Sequence, residues 1–140
     1  MDSQISFSFS DVIIPKEDKI LSRNILIDRW SKYWYCFTNV KWKDDLKEFL
    51  KLVRKTKPFD SADHCSYAFR IRSPEWILLE WKWDDWETWA WQCILRELKR
   101  KNVEQVILVV SSHFWWIYLQ NDRYRNIVDV ARMAIDKIEN

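Results

Sequence analysis

Three carboxylates lie close together in the middle of the chain, among closely spaced tryptophans. The stretch from Trp81 to Gln92 reads Trp-Lys-Trp-Asp-Asp-Trp-Glu-Thr-Trp-Ala-Trp-Gln and contains Asp84, Asp85 and Glu87. Just before a helix, such carboxylates cap the first turn and favour its positive end. The same oxygens are ligands for a cation that bridges to a phosphate, while backbone amides complete an anion site. We favour the capping interpretation and keep a metal-assisted hydrolase using this loop as the alternative.

The two histidines, His64 and His113, are the other side chains with chemical potential. Together with Cys65 they suggest zinc, but no third or fourth ligand has the spacing of a metal site, so no metal and no cofactor are predicted. Cys65 and Cys93 fall on apolar faces, where inert buried thiols are usual. The sequence therefore predicts no catalytic residue.

Basic residues are the third group, and two interpretations of them stay open. They are solvated helix ends, or they line one groove for the phosphates of RNA. The net charge of +2 does not by itself indicate a nucleic-acid partner. The residues concerned are Arg70, Arg72, Lys82, Lys99, Arg100, Lys101, Arg123 and Arg125.

The composition lacks glycine altogether, although about ten glycines are expected in a chain of this length, and it contains 11 tryptophans. The deficit of one residue nearly equals the excess of the other. We therefore hypothesise that the tryptophans occupy glycine positions, through UGA codons that mean glycine in the source organism or through deliberate replacement. The alternative is a genuine tryptophan-rich surface that stacks on sugars or bases.

The 140 residues, 48% hydrophobic and 31% charged, are typical of one soluble globular domain. Three cysteines without a CxxC pair favour a reducing compartment. We find neither a signal peptide nor an apolar run of about 18 residues, so no membrane contact is predicted and the cytoplasm is expected.

Apolar periodicity predicts the elements that must position these side chains. We expect helices over 44–55, 88–101 and 122–138, and strands over 31–40, 65–72, from 77 onwards and, centrally, over 106–110. Residues 1–22 are expected to form an N-terminal arm and residues 23–140 a single domain. The order predicts an α+β fold with the helices on one face of a mostly antiparallel or mixed sheet.

With glycine at each tryptophan, two stretches resemble the glycine-rich signatures of the Impact family, also called YigZ-like. They become Gly-Asp-Asp-Gly-Glu-Thr-Gly-Ala-Gly-Gln, ending at Gln92, and His-Phe-Gly-Gly-Ile-Tyr-Leu, beginning at His113. The strand from Ala62 to Arg70 and the segment from Asn121 to Ile127 are similar to the family as well. Ser112 and Gln120 depart from it, since the family usually has arginine and glycine there.

The resemblance implies a two-layer sandwich like ribosomal protein S5 domain 2, and a role in translation control. It implies contacts with RNA, the ribosome or a translation-regulator protein. We expect a binding site, without catalytic residues, that draws on Asp84, Asp85, Glu87, His64, Arg70, His113 and Arg123.

The hypothesis that tryptophans occupy glycine positions makes a prediction about the backbone. We expect positive φ at Trp86, Trp115 and Trp116, because they fall in tight loops where glycine adopts positive φ without steric cost. Their indoles should be exposed, because a glycine site leaves no internal volume. The two loops should face each other, which brings the carboxylates close to His113 and Arg123.

Overall fold

A sheet of six strands forms the centre of the structure, a computed structural model. It describes residues 12–15, 19–20, 26–28, 31–84, 90–113 and 122–139, with the backbone alone at 19–20, 81–84, 90 and 122–123. The strands are β1 (Lys19–Ile20), β2 (Leu26–Asp28), β3 (Ser31–Asn39), β4 (His64–Arg72), β5 (Leu78–Asp84) and β6 (Val106–His113). The helices are α1 (Lys43–Lys55), α2 (Ala90–Arg100) and α3 (Asp122–Glu139), with a short 3-10 turn at Phe59–Ser61.

The spatial order of the strands is β1, β3, β6, β4, β5, and β2 also pairs with β3. All pairings between these six strands are antiparallel. The α+β class is confirmed, and so is the central position of β6. Its residues from Val106 to Val110 are all at most 1% exposed, which is why this run lacks the polar alternation of a strand with one solvated face.

Two hydrophobic clusters cover opposite faces of the sheet, because successive strand residues point to opposite sides. One cluster joins Tyr33, Tyr35 and Phe37 of β3 to α2 and α3. The other joins Trp34 and Cys36 of the same strand to Leu46, Phe49 and Val53 of α1. The expectation that all helices pack on one face of a two-layer sandwich is therefore wrong for α1.

The hand of the two crossover connections explains why α1 packs on the face opposite to α2 and α3. α1 links β3 to β4, and α2 links β5 to β6; in each case the two strands are parallel and one strand lies between them. If both crossovers had the usual right hand, α1 and α2 would lie on the same face. Since they lie on opposite faces, the two crossovers have opposite hands, and one of them is of the rare left-handed kind.

Residues of the N-terminal arm attach to one end of this sheet. Ile13 forms a parallel bridge with Val103, donating its amide to the Asn102 carbonyl at 3.0 Å and accepting from the Glu104 amide at 2.9 Å. The side chain of Asn39 donates to the Pro15 carbonyl at 2.8 Å. The described part of the arm is thus bound to the domain through backbone groups.

Partly buried ion pairs close the same end of the sheet. Arg72 donates from Nε and Nη2 to the two carboxylate oxygens of Glu104, at 2.8 and 2.7 Å. These hydrogen bonds, against the opposing effect of burial, lower the pKa of Glu104. Arg70 is 6% exposed and donates to Glu80 at 2.8 Å and to the Val103 carbonyl at 3.2 Å.

The β4–β5 hairpin contains a backbone conformation that suits glycine. The Ser73 carbonyl accepts from the amide of Trp76, and the Ser73 amide donates to the Ile77 carbonyl, both at 2.9 Å, which closes the turn after Arg72. Trp76 has φ of 66° and a side chain 65% exposed. Hairpin loops of this length usually place glycine at such a left-handed position. Trp76 was not among the expected positions, and Trp86, Trp115 and Trp116 lie outside the described residues.

We predict that Trp76→Gly is more stable than Trp76→Ala. Both variants remove the indole, but alanine keeps the Cβ, which costs about 1–2 kcal/mol at positive φ, and the entropy of glycine in the unfolded chain offsets part of this. The expected difference in the free energy of unfolding is about 1 kcal/mol in favour of glycine, measured by urea denaturation. Leu52 lies on α1 and is 50% exposed. There Leu52→Ala should be more stable than Leu52→Gly, because alanine favours a helix and glycine does not. Alanine more stable than glycine at residue 76 would contradict the prediction.

We further predict that Glu104→Gln lowers the free energy of unfolding by about 1–3 kcal/mol at pH 7, because Arg72 loses a charged partner. A carboxyl group whose pKa is lowered by folding stabilises the fold above its unfolded pKa, and this contribution is lost as the pH falls through the folded pKa. The difference between wild type and variant should therefore shrink below pH of about 4. Urea midpoints at pH 7 and pH 3 measure it, with Glu48→Gln on the exposed side of α1 as control. A difference that is the same at both pH values would contradict this origin.

Candidate functional site

The ends of β5 and β6 lie at the same end of the sheet, together with the beginnings of β3 and β4. Asp84, the last residue of β5, pairs with Ser66 of β4. His64, at the start of β4, pairs with Ser112, and His113 is the last residue of β6. Asp85 and Glu87 follow β5 directly, and Trp115 and Trp116 follow β6. The structure does not describe 85–89 or 114–121, so whether the two loops face each other stays a prediction.

Strand alternation assigns these residues to faces. His64, Ser66 and the register position of Asp84 belong to the face covered by α2 and α3, and Asp84 lies diagonally across from His64. Diagonal neighbours on adjacent strands are about 7–8 Å apart. His113 belongs to the opposite face, beside Lys32 of β3, and its Nδ1 lies 3.2 Å from Oδ2 of Asp63.

Two helices begin at this end of the sheet. α2 starts at Ala90, after the loop that follows β5, and α3 starts at Asp122, after the loop that follows β6. Helix N-termini present backbone amides and a positive partial charge. Arg123 lies in the first turn of α3, and its side chain is outside the described residues. The backbone therefore brings the termini of both predicted loops and two helix N-termini into one region.

A buried hydrogen-bond network fixes the start of α3 against β2 and β3. Asn126 is 4% exposed, and its Nδ2 donates to Oδ2 of Asp28 at 2.9 Å and to the hydroxyl of Tyr33 at 3.3 Å. We did not predict this role. A signal exists, because Asn126 occupies the same helical stripe as Val130 and Ala134, where only apolar residues are otherwise expected.

Further polar atoms are buried between β3 and β6 on the α1 face. Ser111 and Trp34 pair across the strands, and within the described residues neither the Ser111 hydroxyl nor the Trp34 indole nitrogen has a hydrogen-bond partner. A buried polar atom without a partner costs about 1–3 kcal/mol. An indole N–H left in this state is unusual for a genuine core tryptophan, which normally finds a partner.

Arg70 does not belong to this region. It lies six residues further along β4 than His64, a separation of about 20 Å in a strand. Its guanidinium is occupied by Glu80 and the Val103 carbonyl. We expected Arg70 in the binding site. Its contacts instead connect β4 to Glu80 of β5 and to Val103, which precedes β6.

Most of the predicted basic surface is paired with carboxylates. In addition to Arg72, Lys99 lies 3.3 Å from Glu80, Arg100 lies 2.9 Å from Glu97, and Lys101 lies 3.7 Å from Glu139. Burial raises the pKa of Glu97, but hydrogen bonds from Arg132 and Arg100 outweigh it and lower the pKa overall. These pairs support the interpretation as helix ends rather than a groove of free cations.

Neither nucleophilic nor metal chemistry gains support from the described side chains. Burial raises the pKa of the Cys36 thiol and of the Cys93 thiol, which keeps both protonated and unreactive. Among the residues whose side chains are described, no group of three histidines, cysteines or carboxylates is arranged to hold a metal ion. None of the described helices is long and apolar enough to cross a membrane.

Known proteins resemble this chain over the same region. The family model of the Impact N-terminal domain matches residues 29–135. Protein IMPACT of Rattus norvegicus is 32% identical over 108 residues, covering 76% of this chain and 34% of the relative. The chain thus spans about a third of the length of the relatives that it matches, as it does for the Schizosaccharomyces pombe homologue at 39%.

Two solved structures share the fold. One, described as a hypothetical protein, has a TM-score of 0.68 and 20% identity, covering 90% of this chain and 58% of its own. The other, the two-domain translational regulator Yih1, has a TM-score of 0.54 and 23% identity, covering 90% of this chain and 46% of its own. Since the family model covers most of the chain between β2 and the end of α3, this protein belongs to the Impact N-terminal domain family.

Proposed function

We propose that this domain is a binding module that acts in the regulation of translation, in the cytoplasm, through contacts with another protein. Membership of the Impact family supports the general role, and Yih1 is itself described as a translational regulator. The binding surface that we propose is the end of the sheet where β5 and β6 finish. It would comprise His64, Asp84, His113 and Arg123 with the loop residues Asp85 and Glu87.

One observation carries the proposal: the termini of both signature loops and the N-termini of α2 and α3 come together there. The region rests on the buried centre of the sheet and on the Asn126 network. Loops that leave a rigid sheet edge are common positions for binding residues.

Protein contacts are favoured over RNA contacts by the state of the basic residues. An RNA groove needs cations that are free to meet phosphates. Arg72, Lys99, Arg100 and Lys101 are each paired with a carboxylate of the same chain. An RNA or ribosome contact is the competing form of the proposal, and ribonuclease treatment of crosslinked adducts separates the two.

We predict that a photo-crosslinking amino acid at Asp63, which is exposed beside His113, forms adducts with a protein in cytoplasmic extract of the source organism. The adducts should survive ribonuclease treatment and be absent when the same group replaces Leu52 on α1. Adducts that disappear with ribonuclease would favour RNA, and equal adducts from both positions would refute a surface at this end.

The acidic loop leaves an enzymatic function as the second candidate, a metal-assisted hydrolase using Asp84, Asp85 and Glu87. The specific observation in its favour is that Asp84 ends β5, and Asp85 and Glu87 follow it just before the N-terminus of α2. The binding-module proposal predicts no heat of binding for Mg²⁺, Mn²⁺ or Zn²⁺ in calorimetry, and the same result for Asp84→Ala. Metal binding that is lost in Asp84→Ala would support the hydrolase instead.

We also propose that tryptophans of this chain stand at glycine positions. The positive φ of Trp76 supports it, as does the unsatisfied indole nitrogen of Trp34 among the described residues.

A further inference from the structure

A cleft of about 650 Å³ opens at the end of the sheet opposite the proposed binding surface. The arm segment contributes Val12 and Ile14 to its lining, and the hairpin turn contributes Pro74 and Trp76. Arg72 and Glu104 also line the cleft. The volume is within the range of sites that bind a ligand or a side-chain cluster, about 300–1,000 Å³.

Exposed apolar side chains line this cleft. Of the lining residues, Ile14 is 48% exposed and Trp76 is 65% exposed. Grouped apolar exposure of this kind marks an interaction surface rather than ordinary surface composition. Val12, Ile14 and Pro74 remain as apolar lining residues when glycine replaces Trp76.

The arm also offers an unused strand edge. Ile13 uses both its amide and its carbonyl for the bridge to 102–104. In an extended segment the backbone groups of neighbouring residues point to the other side. Within the described residues, the amides and carbonyls of Val12 and Ile14 make no backbone hydrogen bond, and their side chains line the cleft.

The charges inside the cleft are already neutralised. Arg72 directs Nε and Nη2 to Glu104 and Nη1 to the Trp76 carbonyl at 3.1 Å. Among the described residues that line the cleft, Arg72 is the only cation, so a charged ligand such as a phosphate or a nucleic acid would find no free cation among them. An uncharged apolar occupant complements the cleft. If that occupant is an extended peptide, its backbone can also form hydrogen bonds with the amides and carbonyls of Val12 and Ile14.

We propose that this cleft is a second binding surface, which receives an extended, uncharged apolar segment of a partner protein by strand addition. The segment pairs with the outer edge of Val12–Ile14, continuing the pairing that Ile13 begins with Val103, and places alternate side chains between the arm and the turn. Addition of a strand to an exposed edge gives affinity through the main chain and specificity through alternate side chains. The proposal goes beyond the proposed function. It involves none of the residues at the end of the sheet where β5 and β6 finish.

The test uses the full chain and a fluorescent probe peptide of alternating threonine and valine, acetyl-Thr-Val-Thr-Val-Thr-Val-Thr-amide, in anisotropy titrations. We expect saturable binding that is weakened at least tenfold by Ile14→Asp and by Val12→Asp, since both side chains line the cleft. Ile27→Asp is the matched control, because Ile27 is 56% exposed on β2, away from the cleft. Binding that is absent, or equally weakened in all three variants, would overturn the proposal.

Two further measurements distinguish strand addition from other ways of covering the cleft. Methylating the amide nitrogens of the valines blocks one edge of the peptide, and methylating those of the threonines blocks the other; strand addition requires that only one of the two peptides loses affinity. Equal affinity of both would refute it. In amide NMR spectra the shifts should centre on Val12, Ile14 and residues 102–105. Shifts confined to the loop end, or self-association of the chain that Ile14→Asp abolishes, would also overturn it.

Discussion

Burial of β6 on both faces is the constraint on which the rest of this structure depends. Val106 to Val110 have almost no exposure to solvent, and they pair with β3 on one side and β4 on the other. Their even-numbered side chains pack against α2 and α3, and their odd-numbered ones against α1. Burying such side chains contributes about 1.5–3 kcal/mol each relative to exposure. Neither hydrophobic cluster is complete without this strand.

The antiparallel pairing around β6 also determines where function can lie. Because β5 and β6 both pair antiparallel with β4, they finish at the same end of the sheet, and their loops must begin there. The opposite end is closed differently. Gln105, at φ of 56°, accepts from the Arg72 amide at 2.6 Å and donates to the Val40 carbonyl at 3.0 Å. One end is therefore built to present loops, and the other to hold the arm and its cleft.

Sequence patterns predicted the elements well where burial is periodic or continuous. The helix over 44–55 begins one residue earlier than expected, and β6 extends three residues beyond its apolar run because Ser111, Ser112 and His113 continue the pairing. The face of the sheet to which α1 packs did not follow from the sequence, since periodicity identifies an apolar stripe and not the hand of a crossover.

Some positions of the site residues could be predicted from the sequence and others could not. The order of the motifs indicated the segments at the ends of β5 and β6, and the structure places these strand ends together at one end of the sheet. Arg70 was expected in the binding site because its position in the alternating pattern of β4 resembles that of an exposed strand residue. In the structure it is paired with Glu80, ten residues later in the chain. Asn126 was overlooked because its partners, Asp28 and Tyr33, are more than ninety residues away in the chain.

Hydrogen exchange of the native protein, followed by NMR, tests the central position of β6 most directly. If both clusters depend on this strand, the amides of Val106 to Val110 exchange only through global unfolding. Their free energies of exchange should then equal the free energy of unfolding from urea denaturation and exceed those of α1 and β5. Exchange from β6 that is faster than exchange from α1 or β5 would contradict the account, because the sheet would then open at its centre before its edges.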